Sequence, residues 1–220
     1  MFHYITSNMT IISSVAPVTD SSTLLAEFSG GSASEILMFI GVGLDKDSDA
    51  VYFHYLGNDV KPQPLPMTAL KNVRLVDISI YEPGDQYNTL KLNLTLESSS
   101  GKAVMVTSGL STIWSQCALG GLMALFNEQR LDTPFDLSTW KGTTAMKPCF
   151  ASLWVNRVQL KDQDLYEQFR DARTDGNKVQ LVKVARDCVE ILSHALTGGP
   201  VEEAVVTPVD SATAELLADF

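Results

Sequence analysis

Leu90-Lys91-Leu92-Asn93-Leu94-Thr95-Leu96-Glu97 alternates leucine with a polar residue without a break. A period of two is the period of a β-strand, so the leucines face a core and Lys91, Asn93 and Thr95 face outward. A shift of one residue would exchange the two sets, so everything downstream depends on this register. Outward from this strand the pattern continues. Val73–Tyr81 reads as a strand that ends at the turn signal Glu82-Pro83-Gly84-Asp85. On the other side Ser98-Ser99-Ser100-Gly101-Lys102 turns the chain into a third strand, Ala103–Thr107.

The period then changes. Ile113, Cys117, Gly120/Gly121, Ala124 and Leu125 recur at helical spacing from Ser111 to Phe126, with Ser111 or Thr112 as N-cap. Phe135–Trp140 and Phe150–Val158 return to strand character around a polar Lys141–Thr144 loop. A short helix, Asp164–Ala172, precedes an amphipathic one, Val179–Leu196, striped by Leu181, Ala185, Cys188, Leu192 and Ala195 and stopped by Gly198-Gly199-Pro200. Upstream, Ile36–Leu44 and Val51–Leu56 read as a hairpin around Asp45–Asp49, and the prolines of Lys61–Pro66 read as a linker. Residues 1–34 read as a loose Ser/Thr/Gly-rich arm with one strand near Met9–Val15. The expected organisation is therefore an arm and hairpin over 1–66, a β-core over 67–160, helices over 161–197 and a disordered acidic tail over 198–220.

Strand, strand, strand, helix, strand, strand is the element order of an OB-fold. The segment from Leu70 to Gln159 resembles the OB-fold single-stranded DNA-binding proteins of bacteria, phages and plasmids, in that order and in the leucine-alternating phrase. It also resembles them where Ser108-Gly109-Leu110-Ser111-Thr112 leads from strand to helix. The resemblance implies a mainly β protein with helices: a five-stranded Greek-key barrel extended by the hairpin and the C-terminal helices. Proteins of that group often end in an acidic, apolar-tipped tail that recruits replication and repair proteins. Here Glu215, Leu216, Leu217, Asp219 and Phe220 would be that partner-binding tip, with fewer consecutive acids and no proline.

Charge supports this reading once it is divided along the chain. The formal net charge of -10 argues against a nucleic-acid partner when taken whole. Between Gly57 and Lys161, however, ten basic residues stand against eight acidic ones, about +2. From Gly198 onward there are five carboxylates and no lysine or arginine. Binding a single strand needs aromatic faces for bases and cations for phosphates. If Ala151, Leu153 and Val155 face the core, Phe150 and Trp154 are presented as stacking platforms, with Tyr81, Tyr87 and Trp140 nearby. Lys71, Arg74, Lys91, Lys102, Lys141, Lys147 and Arg157 would neutralise phosphate.

Catalytic and metal chemistry find little footing. His3, His54 and His194 are scattered, no cysteine pair has CxxC spacing, and no serine stands in a GxSxG turn. Asp45-Lys46-Asp47-Ser48-Asp49 alternates like a calcium loop but continues with Ala50 where glycine is required. No cofactor, metal site or enzymatic activity is expected. Three widely spaced cysteines suit reduced thiols. No stretch reaches the length of a membrane span and no basic n-region precedes Ile11-Ile12, so the expected setting is a bacterial cytoplasm or a phage-infected cell. The expected function is single-stranded DNA binding in replication, recombination or repair. A homo-oligomer is expected because edge strands need cover. The alternative is a structural or assembly protein of a phage or mobile element that uses the same aromatics in a protein interface. RNA on the same sheet is not distinguished from DNA.

Overall fold

The computed structural model describes residues 38–55, 60–82 and 89–198. The expected arm, Tyr87 and the C-terminal tip lie outside them. Among the described residues nine strands and three helices follow in order: β1 (Met38–Val42), β2 (Tyr52–His54), β3 (Gln63–Leu65), β4 (Ala69–Tyr81), β5 (Lys91–Ser98), β6 (Ala103–Gly109), α1 (Ile113–Asn127), β7 (Phe135–Lys141), β8 (Cys149–Val155), β9 (Val158–Leu160), α2 (Gln163–Thr174) and α3 (Lys178–Thr197). The protein is mainly β with helices.

All nine strands form one sheet in the order β3-β2-β1-β6-β5-β4-β7-β8-β9. This differs from a closed five-stranded barrel. The strands expected to form that barrel do pair in sequence, β6-β5-β4-β7-β8, but β6 takes β1 as a parallel neighbour and β8 takes β9. The upstream hairpin is thus part of the main sheet. Lys61–Pro66, expected as a linker, contains β3. Its Pro64 is tolerated because β3 is an edge strand and needs no ladder bond on its open side. Both edges are three residues long and one carries proline, so the sheet is already blunted against edge-to-edge growth.

The sheet is strongly curled. In a flat sheet β2 and β7, five strand spacings apart, would be separated by roughly 24 Å. Instead the Tyr52 hydroxyl lies 2.6 Å from Thr139 Oγ1, bringing β2 against β7 across the inside of the curl. On β5 and β6 the burial alternates strictly, with Leu92, Leu94 and Leu96 buried opposite Ser108, Val106 and Val104. On β8 the inward set is Ala151, Leu153 and Val155, as the alternation predicts.

Helix α1 fills the inner face. Thr112 caps it, its hydroxyl accepting from the Ser115 N–H. Gly121 lets the helix approach β8 so closely that a Cβ there would stand 2.8 Å from Leu153 Cδ1. Helix α1 is apolar nearly all round because sheet lies on one side and α2 and α3 on the other. Helix α3 buries Leu181, Ala185, Cys188 and Leu192 and stops at Gly198, whose φ of 71° suits glycine.

Candidate nucleic-acid interface

Adjacent residues of β7 and β8 build two opposed surfaces. Register pairs Thr139 with Ala151 and Leu137 with Leu153 on the inner face. There Thr139 Oγ1 accepts from Trp114 Nε1 at 2.9 Å while bonding Tyr52 at 2.6 Å, so one buried hydroxyl satisfies two large aromatics. Burial raises the Tyr52 phenol well above its ordinary value, so it stays neutral. Sequence reasoning missed this trio, since nothing local marks Thr139 as a hub.

On the outer face the same register pairs Trp140 with Phe150, Ser138 with Ser152 and Asp136 with Trp154. The Trp140 and Phe150 rings stack with centroids 5.7 Å apart and planes 13° from parallel, and Trp140 is 46% exposed. Trp154, half-buried, donates Nε1–H to Ser152 Oγ at 2.7 Å, which fixes its ring. Four residues of strand separate Phe150 from Trp154, about 13 Å. Beside Trp154 opens a cavity of about 520 Å³, lined by Asn72, Asp136, Ser138, Asn156 and Arg157 among others.

Three of the expected aromatics, Trp140, Phe150 and Trp154, therefore share one strip. Tyr81 does not. It pairs with Lys91 at the far end of β4, whereas Ala69 at the near end pairs with Ser138 of β7. Asp136, opposite Trp154, lies beside Asn72, so the rest of β4 puts Tyr81 roughly 30 Å along the strand from the nearest end of the strip.

The expected cations divide as well. Arg157 is exposed at the turn after Trp154. Lys147, exposed, lies 3.7 Å from Asp49. Lys141 is committed elsewhere: its ammonium donates to the Asp45 carbonyl at 2.9 Å and to the Ser48 carbonyl. A lysine thus sits where the calcium-loop pattern would have put an ion. Lys102, expected on the surface, is only 5% exposed, because it follows the tight Ser98–Gly101 turn and packs inward. Lys71 and Arg74 are exposed on β4, and Lys91 is half-buried beside Tyr81.

The thiols are quiet. Burial raises Cys117 and Cys149, and pushes Cys188 up to about 12. His54 is held below its usual value by burial, and its Nδ1 has no hydrogen-bond partner among the described residues. Among the described residues no cluster of three or more His, Cys, Asp or Glu could hold a metal, and no helix is long and apolar enough to cross a membrane.

No protein-family model, no curated protein and no solved structure matches the chain.

Proposed function

We propose that the protein is a non-catalytic single-stranded DNA-binding protein whose strand runs along the outer face of β7 and β8. The observation that carries this reading is the strip Trp140–Phe150–Trp154. These aromatics are offered by one face of a hairpin whose other face supplies the core, and they end at an exposed arginine. Base–aromatic stacking contributes ~1–3 kcal/mol per base, so such a strip suffices for a sequence-tolerant grip. The sheet topology supports an opened OB-type unit: β4 pairs with both β5 and β7, α1 joins β6 to β7, and β1 and β9 occupy the edges a smaller barrel would close. The C-terminal tip Glu215–Phe220 would then recruit replication or repair proteins.

Few cations serve this face, so binding should be weaker and less salt-dependent than in strongly basic binders. With about three phosphates contacted, log K should fall with log salt at a slope near -2. Titration of the full chain with oligo-dT at low salt, read by tryptophan quenching and gel shift, tests the reading. Saturable quenching with that slope is expected, and no quenching with no shifted band removes the proposal.

A protein-binding role has its own support. Phe39 is 44% exposed on the outer face of β1 beside half-buried Met105 of β6, an apolar spot on a different pair of strands from the strip.

A further inference from the structure

Resting on the single-strand reading, the cavity beside Trp154 makes that site more specific. The geometry points to a pocket for one guanine nucleotide. Four features converge on it: an aromatic wall, a carboxylate, neutral polar groups and a guanidinium.

Trp154 supplies the wall, and Ser152 Oγ anchors its indole at 2.7 Å. Asp136 lies directly opposite Trp154 in the β7–β8 register, so the carboxylate and the ring share one face. Asp136 Oδ1 accepts from the Asn72 backbone N–H at 2.8 Å, and Oδ2 has no protein donor among the described residues. A carboxylate held this way accepts bonds and cannot give them. Guanine is the base whose pairing edge sets two donors side by side, N1–H and the N2 amine. Thymine offers one N–H flanked by two carbonyl oxygens, which a carboxylate repels. Adenine and cytosine each place an acceptor beside their amine. Stacked on Trp154, guanine is therefore the base that Asp136 rewards, and Arg157 stands within the same cavity to meet its phosphate.

The backbone is specialised at the same place. Five non-glycine residues among those described have left-handed φ, and three of them line this cavity: Asn72 at 51°, Asn156 at 51° and Arg157 at 67°. Asn156-Arg157 forms the two-residue turn between β8 and β9, where glycine is the favoured second residue. An arginine there is held against its local preference, and it lines the pocket.

The test uses the full chain with indole nitrogens labelled. Trp114, Trp140 and Trp154 give three separate signals, assigned by Trp→Phe variants. Titration with dGMP should shift the Trp154 indole saturably and leave Trp114 in place, whereas dTMP should shift it far less. Asp136→Asn, which keeps an acceptor for Asn72, should abolish the difference between the two nucleotides. In the strand arm, one central dG in an oligo-dT should tighten binding about tenfold, the size of one good base contact, and Asp136→Asn should erase that gain. Equal responses to dGMP and dTMP, or none, overturn the pocket. If oligo-dT binds but the dG adds nothing, the pocket fails while the single-strand reading stands. If dGMP moves Trp154 while no strand binds, the pocket stands as a free-nucleotide site and the single-strand reading fails.

Discussion

The inner and outer faces of β7 and β8 are made from alternate residues of the same two strands, yet they differ in what holds them. Inside, Leu137, Leu153 and Thr139 are almost wholly buried, and Thr139 hydrogen-bonds both Tyr52 and Trp114. Outside, Trp140 stacks on Phe150, and Trp154 is hydrogen-bonded to one serine. Core packing explains the first set completely and does not require the second. Large aromatics on an outer face with no packing duty are what a binding surface needs.

The difference can be broken from the inside first. Leu153→Ala removes a side chain packed against Gly121 and should cost about 3 kcal/mol in urea unfolding. Thr139→Val keeps the shape but strands the Trp114 N–H and the Tyr52 hydroxyl, for a cost of about 2 kcal/mol; Tyr52→Phe should cost less, since it leaves Thr139 satisfied by Trp114. On the outside, Trp140→Ala should lower stability by only ~1 kcal/mol through loss of the Phe150 stack, a gap from Leu153→Ala that thermal or urea melts would resolve. If Trp140→Ala proved as damaging as Leu153→Ala, the outer aromatics would be structural and the contrast would collapse.

The smallest effect concerns pH. His54 lies opposite Ile40 on the inner side and is depressed by burial. The unfolded chain therefore takes up a proton more readily than the folded one. The stability that neutral His54 contributes is present above pH 6.5 and declines as pH falls through that value. Urea midpoints at pH 7.5 and 5.5 should differ more in the native chain than in His54→Gln, and equal differences would remove His54 from the account.

Much of this architecture was legible in local pattern. Leu92, Leu94 and Leu96 announce an inner face by period alone, and Ala151, Leu153 and Val155 do so by the same rule. Thr112 and Gly198 mark a helix start and a helix end, whereas the close approach at Gly121 shows only in the fold. What was not legible depends on long-range pairing. Nothing in Met38–Val42 says that it will lie parallel to β6, and that pairing replaces barrel closure with a curled nine-stranded sheet. Lys141 looked like a phosphate ligand until the fold brought it to carbonyls more than ninety residues away. Lys102 looked exposed because turns usually are. Sequence alone groups Tyr81 with Trp140 because it carries no measure of how far a long strand separates its ends.

The most direct test is fluorescence anisotropy of a labelled oligo-dT with the native chain and with the double variant Trp140→Ala/Trp154→Ala. Two lost stacks at about 1 kcal/mol each predict a roughly 30-fold weaker Kd with a cooperative melt retained. A double variant that binds as tightly as the native chain would contradict the outer-face account.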